Sequence, residues 1–491
     1  MAVVLVTDTQ QDWLDDIEGV ETIDPKEYLT DDQWIRRKHV KIYNLARSYQ
    51  YQSLGYYVSL LAEARGHRPF PSVTTIQDLS NRNAVRLVPC DLEELIDKCL
   101  HPLQGDTFEL SVYFGGNLAA RYAKLARDLS GLFQAPLMRF EFTRRKRWRL
   151  RRARAIGLED IPQSHRPFVI EQAQKHFVRG SAGKMKRNSF RYDLAILHNP
   201  AEGSLAPSDD KALNKMVKAA ASLGINAELL TVDDAGRLLE FDALFLRETT
   251  SVDHYTYRLA RKAEREGMVV MDDPQSILRC TNKVYLAELM NKAKLPTPET
   301  IVAHPGNADT IGEKLGFPVV LKRPDSAFSL GVVKVATPEE LQAQLKVFFA
   351  DSDLVVAQSY MRTDFDWRIG VLDRRPLFAC KYHMASGHWQ IINANEESDS
   401  KRFGKFETVP VEMAPRKAVA LAQKSADLIG DGLYGVDIKE SDGNFYVIEV
   451  NDNPNIDSGV EDKILRDELY RRIMESFLRR IERGKSVEVT A

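Results

Sequence analysis

The segment YGVDIKESDGNFYVIEVN (434–451) constrains the fold more than any other stretch of the chain. Two runs rich in β-branched and aromatic residues flank Asp442-Gly443, a dipeptide that supplies the positive φ angles of a tight turn. The segment therefore predicts a β-hairpin. A three-residue loop, 442–444, sets Ser441 against Phe445 and Asp437 directly opposite Glu449. Side chains alternate along a strand, so Glu449 and Asn451 share a face. Two carboxylates and an amide oxygen then meet on one patch. Like charges directly across a ladder repel unless something neutralises them. A divalent cation would, and an all-oxygen donor set suits Mg²⁺ or Mn²⁺ better than zinc. An edge hairpin with solvated acids fits the same spacing, and a two-residue loop would make the pairing diagonal.

The rest of the chain narrows the reading. At 491 residues it exceeds one ordinary core, so two to four domains are expected. With 68 basic and 70 acidic residues the net charge is −2, which argues against a dedicated nucleic-acid or membrane-surface protein. Four cysteines (Cys90, Cys99, Cys280, Cys380) lack metal or redox spacing and read as small core residues. The start, MAVVLVTDTQQDWLDD, reads as a first strand and not a signal peptide. No stretch reaches the ~18 apolar residues of a membrane span. A soluble, cytoplasmic protein is the expectation.

Strand and helix signals alternate to about residue 142: AVVLVTD (2–8), a helix over 53–67, VRLVP (85–89), a helix over 92–100, a strand over 108–115 and a helix over 116–133. YNLARSYQYQSLGYY (43–57), with five tyrosines, reads as a half-buried helix face. RRKRWRLRRAR (144–154), eight basic residues in eleven, reads as a solvated helix or connector in preference to a nucleic-acid site. From Arg191 a small doubly wound α/β unit follows, without a glycine fingerprint for a dinucleotide. Residues 300–484 read as mostly antiparallel α+β in two lobes. The domains expected are 1–142 (accessory α/β), 143–190 (basic connector), 191–280 (small doubly wound α/β) and 281–484 (α+β core).

Basic residues gather ahead of the hairpin. Lys322 ends the apolar run VVLK and needs a buried anion. SAFSLGV (326–332) offers hydroxyls, backbone N–H groups and a glycine, as a flap over phosphates would. Lys283 lies in the first turn of a helix after Thr281, a candidate N-cap. VVAQSYM (355–361) is a strand whose exit backbone can read an adenine edge.

In this order, Lys283, VVLK, SAFSLGV, AQSYM, DWR (366–368), GVDI and VIEVNDNPN resemble an ATP-grasp ligase over about 280–460. The EVNDNPN ending is similar to the RimK-like branch, whose members join an amino group to a carboxylate such as glutamate. The whole chain resembles RimK-like proteins with an additional RimK-like ATP-grasp N-terminal domain. That resemblance implies a multi-domain ATP-grasp fold, with 191–280 as the pre-ATP-grasp domain and a two-lobed core after it. It implies ATP and Mg²⁺ (or Mn²⁺) as cofactors, with Asp437, Glu449 and Asn451 as metal ligands. Lys283 and Lys322 would contact the nucleotide, under a flap of Ser326, Ser329 and Gly331. Gln358 and Tyr360 would flank adenine, with Met361 as an apolar lid. Arg368 and Lys381 would meet the transferred phosphate. Arg247, Asn393 and Asn455 fall to the substrates, Arg247 as the carboxylate anchor.

The implied reaction phosphorylates a carboxylate with ATP and lets an amine displace the phosphate. The partners expected are a small acid and a small amine, amino acids or a peptide, without nucleic acid or membrane, in a dimer or tetramer. One departure bears on specificity. Better-known RimK-type ligases carry an Arg-Ser-Asn triplet and paired glycines after the strand holding Lys381, where this chain has HWQIINANEESDSKRFGKFETVP. The alternatives are a small-molecule kinase, or an ATP-binding module docking through 144–154.

Overall fold

The computed structural model describes residues 2–9, 11–37, 40–80, 90–179, 190–325, 331–391 and 404–490. VRLVP (85–89), Ser326, Ser329 and Asn393 lie outside the described residues. Among the described residues no helix is long and apolar enough to cross a membrane. The chain divides into two compact units. The first comprises Met1–Ala195, Gly224–Asp242 and Arg483–Ala491; the second comprises Ile196–Leu223 and Ala243–Glu482. The expected 191–280 domain is thus shared between them.

The first unit holds a parallel sheet in the order Glu21–Ile23, Ala2–Val6, Val40–Asn44, Arg68–Phe70. Its core includes Val4, Val6, Ile42, Tyr28 and Trp34. A separate antiparallel sheet runs Thr107–Tyr113, Leu137–Arg144, Trp148–Ala155. The basic run is therefore a turn and an edge strand, not a connector. Trp148, Leu150 and Ala153 are buried in its core. The inward positions step by two and then by three because Arg151 is an extra residue: Phe142 pairs Leu150 while Glu141 pairs Arg152. That broken alternation hides the strand in the sequence. The tyrosine-rich segment is likewise not one helix face. Tyr43 is buried in a strand, Tyr51 is exposed, and the helix begins only at Leu54.

In the second unit Ala243–Arg247 pairs in parallel with Val269–Met271. Two antiparallel sheets follow. One runs Thr300–Ala303, Val355–Ser359, Val319–Lys322, Val332–Val335, and buries Val319, Leu321 and Ala357 against Leu341, Leu345 and Phe348 of the helix Pro338–Phe349. The other runs Phe406–Val409, Arg375–His383, Phe365–Leu372, Leu433–Ser441, Asn444–Asn451. On one of its faces Trp367, Ile369, Val436 and Ile438 pack on Ala418, Ala422 and Ile429 of the helix Arg416–Ile429. Each such aliphatic side chain contributes about 1.5–3 kcal/mol when fully buried. The antiparallel, two-sheet character expected after residue 300 is what forms. One face of the five-stranded sheet is committed to that helix, and its other face carries polar side chains.

Candidate active site

The hairpin forms, but its turn is tighter than the spacing suggests. Ser441 pairs with Asn444, leaving Asp442 and Gly443 as a two-residue turn with φ of 51° and 73°. This is the left-handed pair that follows the twist of the strands. A bulge then restores the pairing that such a turn would displace: Ile438 faces Val447, Ile448 is extra, and Asp437 stands opposite Glu449. Asn451 lies across from Gly435 and donates through Nδ2 to Asp437 Oδ2 at 3.1 Å.

The two facing carboxylates are neutralised by the protein's own cations. Arg368, one strand away and paired with Asp437 in the ladder, clamps it with two bonds, Nε–Oδ1 at 2.7 Å and Nη2–Oδ2 at 2.8 Å. Burial opposes the charge on Arg368, and Asp437 more than compensates, so the guanidinium is pushed up. Lys283 Nζ lies 2.9 Å from Glu449 Oε1. Burial works against ionising Glu449 as well, but Lys283 and Lys322 together outweigh it and hold the carboxyl below its usual range. Lys322 is pushed down to about 8, chiefly by burial and despite Glu449. Lys283 is set by its helix, Lys283–Lys292, whose N-cap is Asn282 and not Thr281. Asn282 Oδ1 accepts from Tyr285 N at 3.0 Å, and Lys283 N donates to Pro324 O at 2.8 Å.

These groups line one cavity of 660 Å³, inside the range of small-ligand sites. Gln358, Tyr360, Met361 and Asn455 also line it. Gln358 Nε2 donates to Thr300 Oγ1 at 3.0 Å, which fixes its amide. Tyr360 meets Trp389 edge-on at 5.9 Å, and Lys334 Nζ lies 4.7 Å from the Tyr360 ring centre. A second cavity, of 320 Å³, shares Lys283, Lys322, Gln358 and Glu449 with the first and has Leu286, Met290 and Val447 in its wall.

Three expected residues do not join this wall. Lys381 pairs with Trp367, stands over the Phe365 and Trp367 rings, and binds Glu407 at 3.0 Å. It therefore belongs to the sheet face that packs on the helix. Arg247 is fully buried and spends its donors on Ser208 Oγ, Asn453 Oδ1, Pro207 O and Pro454 O. It staples the NDNP segment in place and has no fork left for a carboxylate. Gly331 (φ 75°) accepts Arg323 N through its carbonyl at 2.9 Å and is not part of the wall.

Other lining residues went unread in the sequence. Lys439 lies two residues along the strand from Asp437, hence on the same face, and reaches Asp366 Oδ1 at 2.6 Å and Thr363 Oγ1 at 2.7 Å. Tyr382 pairs with Asp366 across the ladder and lies under Arg368, whose Cζ is 5.1 Å from its ring centre. Alternation from Asp437 would have found Lys439, whereas Tyr382 is placed by the pairing of its strand with that of Arg368. The cavity thus presents Lys283, Lys322, Arg368 and Lys439 among Asp366, Asp437 and Glu449.

The oxygen donors Asp437, Glu449 and Asn451 fit a hard divalent cation in kind and in placement on one patch. Among the described residues no group of three or more His, Cys, Asp and Glu could hold a metal ion, and the donor set here is two carboxylates and one amide oxygen.

Comparison with known proteins bears on the family of the chain. Residues 25–172 match the RimK-like ATPgrasp N-terminal domain, and residues 280–475 match the RimK-like ATP-grasp domain. A "Probable alpha-L-glutamate ligase" of Teredinibacter turnerae is 28% identical over 232 residues, 46% of this chain and 73% of the relative. A protein of the same name from Thioalkalivibrio sulfidiphilus is 27% identical over 228 residues, 46% of this chain and 72% of the relative. Among solved structures, D-alanine–D-alanine ligase from Bacillus anthracis complexed with ATP superposes with a TM-score of 0.47 at 19% identity, covering 60% of this chain and 98% of that one.

Proposed function

Since this chain belongs to the RimK-like ATP-grasp family, we propose that it is an ATP-dependent carboxylate–amine ligase working through an acyl phosphate. The observation that carries the reading is the cavity in which Arg368 holds Asp437 and Lys283 holds Glu449. A metal–nucleotide complex brings a cation and an anion together. Each of these internal pairs can exchange its partner for one component of that complex without leaving a buried charge bare.

In this reading Asp437, Glu449 and Asn451 hold Mg²⁺, which supplies charge neutralisation between phosphates when bound. Lys283, Lys322 and Arg368 take the phosphates, and Lys439 takes the place first given to Lys381. Gln358, Tyr360 and Met361 flank the purine, and Asn455 faces the substrates. Ser326, Ser329 and Gly331 are kept as the flap and Asn393 as a substrate contact. Phosphoryl transfer asks little covalent work of a protein, so positioned charge is the main contribution. The substrate carboxylate takes the γ-phosphoryl group and ADP leaves. An amine then attacks the carbonyl carbon and expels phosphate, in a site that must exclude water. The relatives' name supports glutamate as one substrate, and the demand for ATP supports a cytoplasmic location.

The test is ADP and phosphate release with Mg²⁺-ATP across a panel of amino acids, singly and in pairs, with Glu449→Ala as control. Turnover with particular pairs, lost in the variant, is the expected result. Release with a single acid, without demand for an amine, would replace the ligase by a kinase.

A further inference from the structure

An amine arrives as an ammonium ion and must shed a proton before it can attack, and none of the residues assigned above takes it. We propose that Tyr382 and Glu461 form a proton relay that deprotonates the acceptor amine; this rests on the ligase reading. Tyr382 lines the cavity beside Arg368, Asp457 and Val460. Its hydroxyl donates to Glu461 Oε1, and Glu461 Oε2 accepts Asp457 N at 2.7 Å. Glu461 is itself 1% exposed, so the phenol stands between it and the cavity.

The choice of residue at 461 is the second observation. Among the described residues no ion pair holds this carboxylate, whereas the adjacent Asp462 has Lys215 at 2.6 Å. A buried carboxylate without a cation is unfavourable. A glutamine would make both bonds without that cost: its carbonyl accepts from Asp457 N, and its amide donates to the tyrosine oxygen. A carboxylate kept there is a place for a proton. The charged and titratable groups around it are Tyr382, Arg368, Asp457, Cys380, Arg247 and Tyr470. Burial, reinforced by Asp457, pushes Glu461 up to about 7, near the value that serves a base at neutral pH.

The step balances. One ammonium proton passes to Tyr382 Oη as the phenol proton moves to Glu461 Oε1. The freed nitrogen lone pair forms the C–N bond while the acyl C–O bond breaks, its electrons leaving with phosphate. The second nitrogen proton goes to that phosphate. Tyr382 is the group that touches substrate; Glu461 acts through it.

The experiment compares wild type, Glu461→Gln and Tyr382→Phe with Mg²⁺-ATP and L-glutamate, offered either the amine that supports turnover or hydroxylamine. Hydroxylamine is already unprotonated at neutral pH and captures the acyl phosphate as a hydroxamate. Both variants should lose about 10²–10⁴-fold in amide formation while hydroxamate formation stays near wild type. The acid limb near pH 7 in the wild-type amide rate should vanish in Glu461→Gln. Parallel loss of amide and hydroxamate would overturn the relay and leave the pair a structural role. Absence of hydroxamate from wild type with L-glutamate and with every other amino acid of the panel would overturn the ligase reading, and the relay with it.

Discussion

Residues that share a sheet separate by face, and that separation decides which of two lysines matters. Lys381 stands on the helix-packed side of its sheet with Trp367, while Lys439 reaches Asp366 on the cavity side. Lys381→Ala should leave ADP release near wild type and cost about 0–1 kcal/mol, as partly exposed pairs do. Lys439→Ala should lower it about 10²-fold, the loss typical of one transition-state donor. Steady-state assay of both variants with the same substrate pair separates the two faces. A second residue carries a pH signature. Glu248 is fully buried, bonded by Tyr255 Oη at 2.5 Å, and pushed up to about 7 by burial. In the unfolded chain a glutamate ionises near ~4.3, so this contribution is fully present below that pH and is lost as pH rises through about 7. Glu248→Gln should therefore stabilise the protein at pH ~8 by on the order of 2 kcal/mol and change little at pH ~4. Urea denaturation at the two pH values checks the sign.

Elements bring these residues into register, and the hairpin shows how two local departures combine. A two-residue turn would set Asp437 diagonal to Glu449; the extra residue Ile448 brings them opposite. The turn depends on Gly443, at φ 73°, with nothing within 4 Å of where a Cβ would stand. Gly443→Ala meets no clash and should cost only the left-handed backbone strain, about 1–2 kcal/mol. A lowered melting temperature with unchanged turnover is the expected result. A loss of activity at a permissive temperature would mean that the register itself had slipped. The basic strand gives the complementary lesson. Its inward residues Trp148, Leu150 and Ala153 depart from a period of two at Arg151, so a charge-rich run conceals an edge strand.

At the scale of the whole molecule, two units with separate cores imply that unfolding need not be a single two-state event. Trp148 lies at the heart of one core of the first unit. Trp148→Ala should cost that unit about 3–5 kcal/mol, and calorimetry should place the loss in one transition while the remainder of the profile holds its temperature. A uniform shift of the whole profile would show instead that the chain unfolds as one body.

The features legible in the sequence are local and periodic. The Asp-Gly turn, the strands on either side, the helix at Lys283 that ends before two prolines and the ordered family motifs are readable because backbone preference and side-chain alternation act over a few residues. They led to the ATP-grasp fold, and they named Lys283, Lys322, Gln358, Arg368, Asp437, Glu449 and Asn451, which line one cavity. Tertiary structure alone decided the partners. Arg247 carries the charge of a substrate anchor, yet it is walled in by carbonyls from Pro207 and Pro454, contacts 40 and 207 residues away. Glu461 meets Tyr382 across 79 residues. No local period encodes such contacts, because burial and charge pairing depend on which distant segments the fold sets side by side.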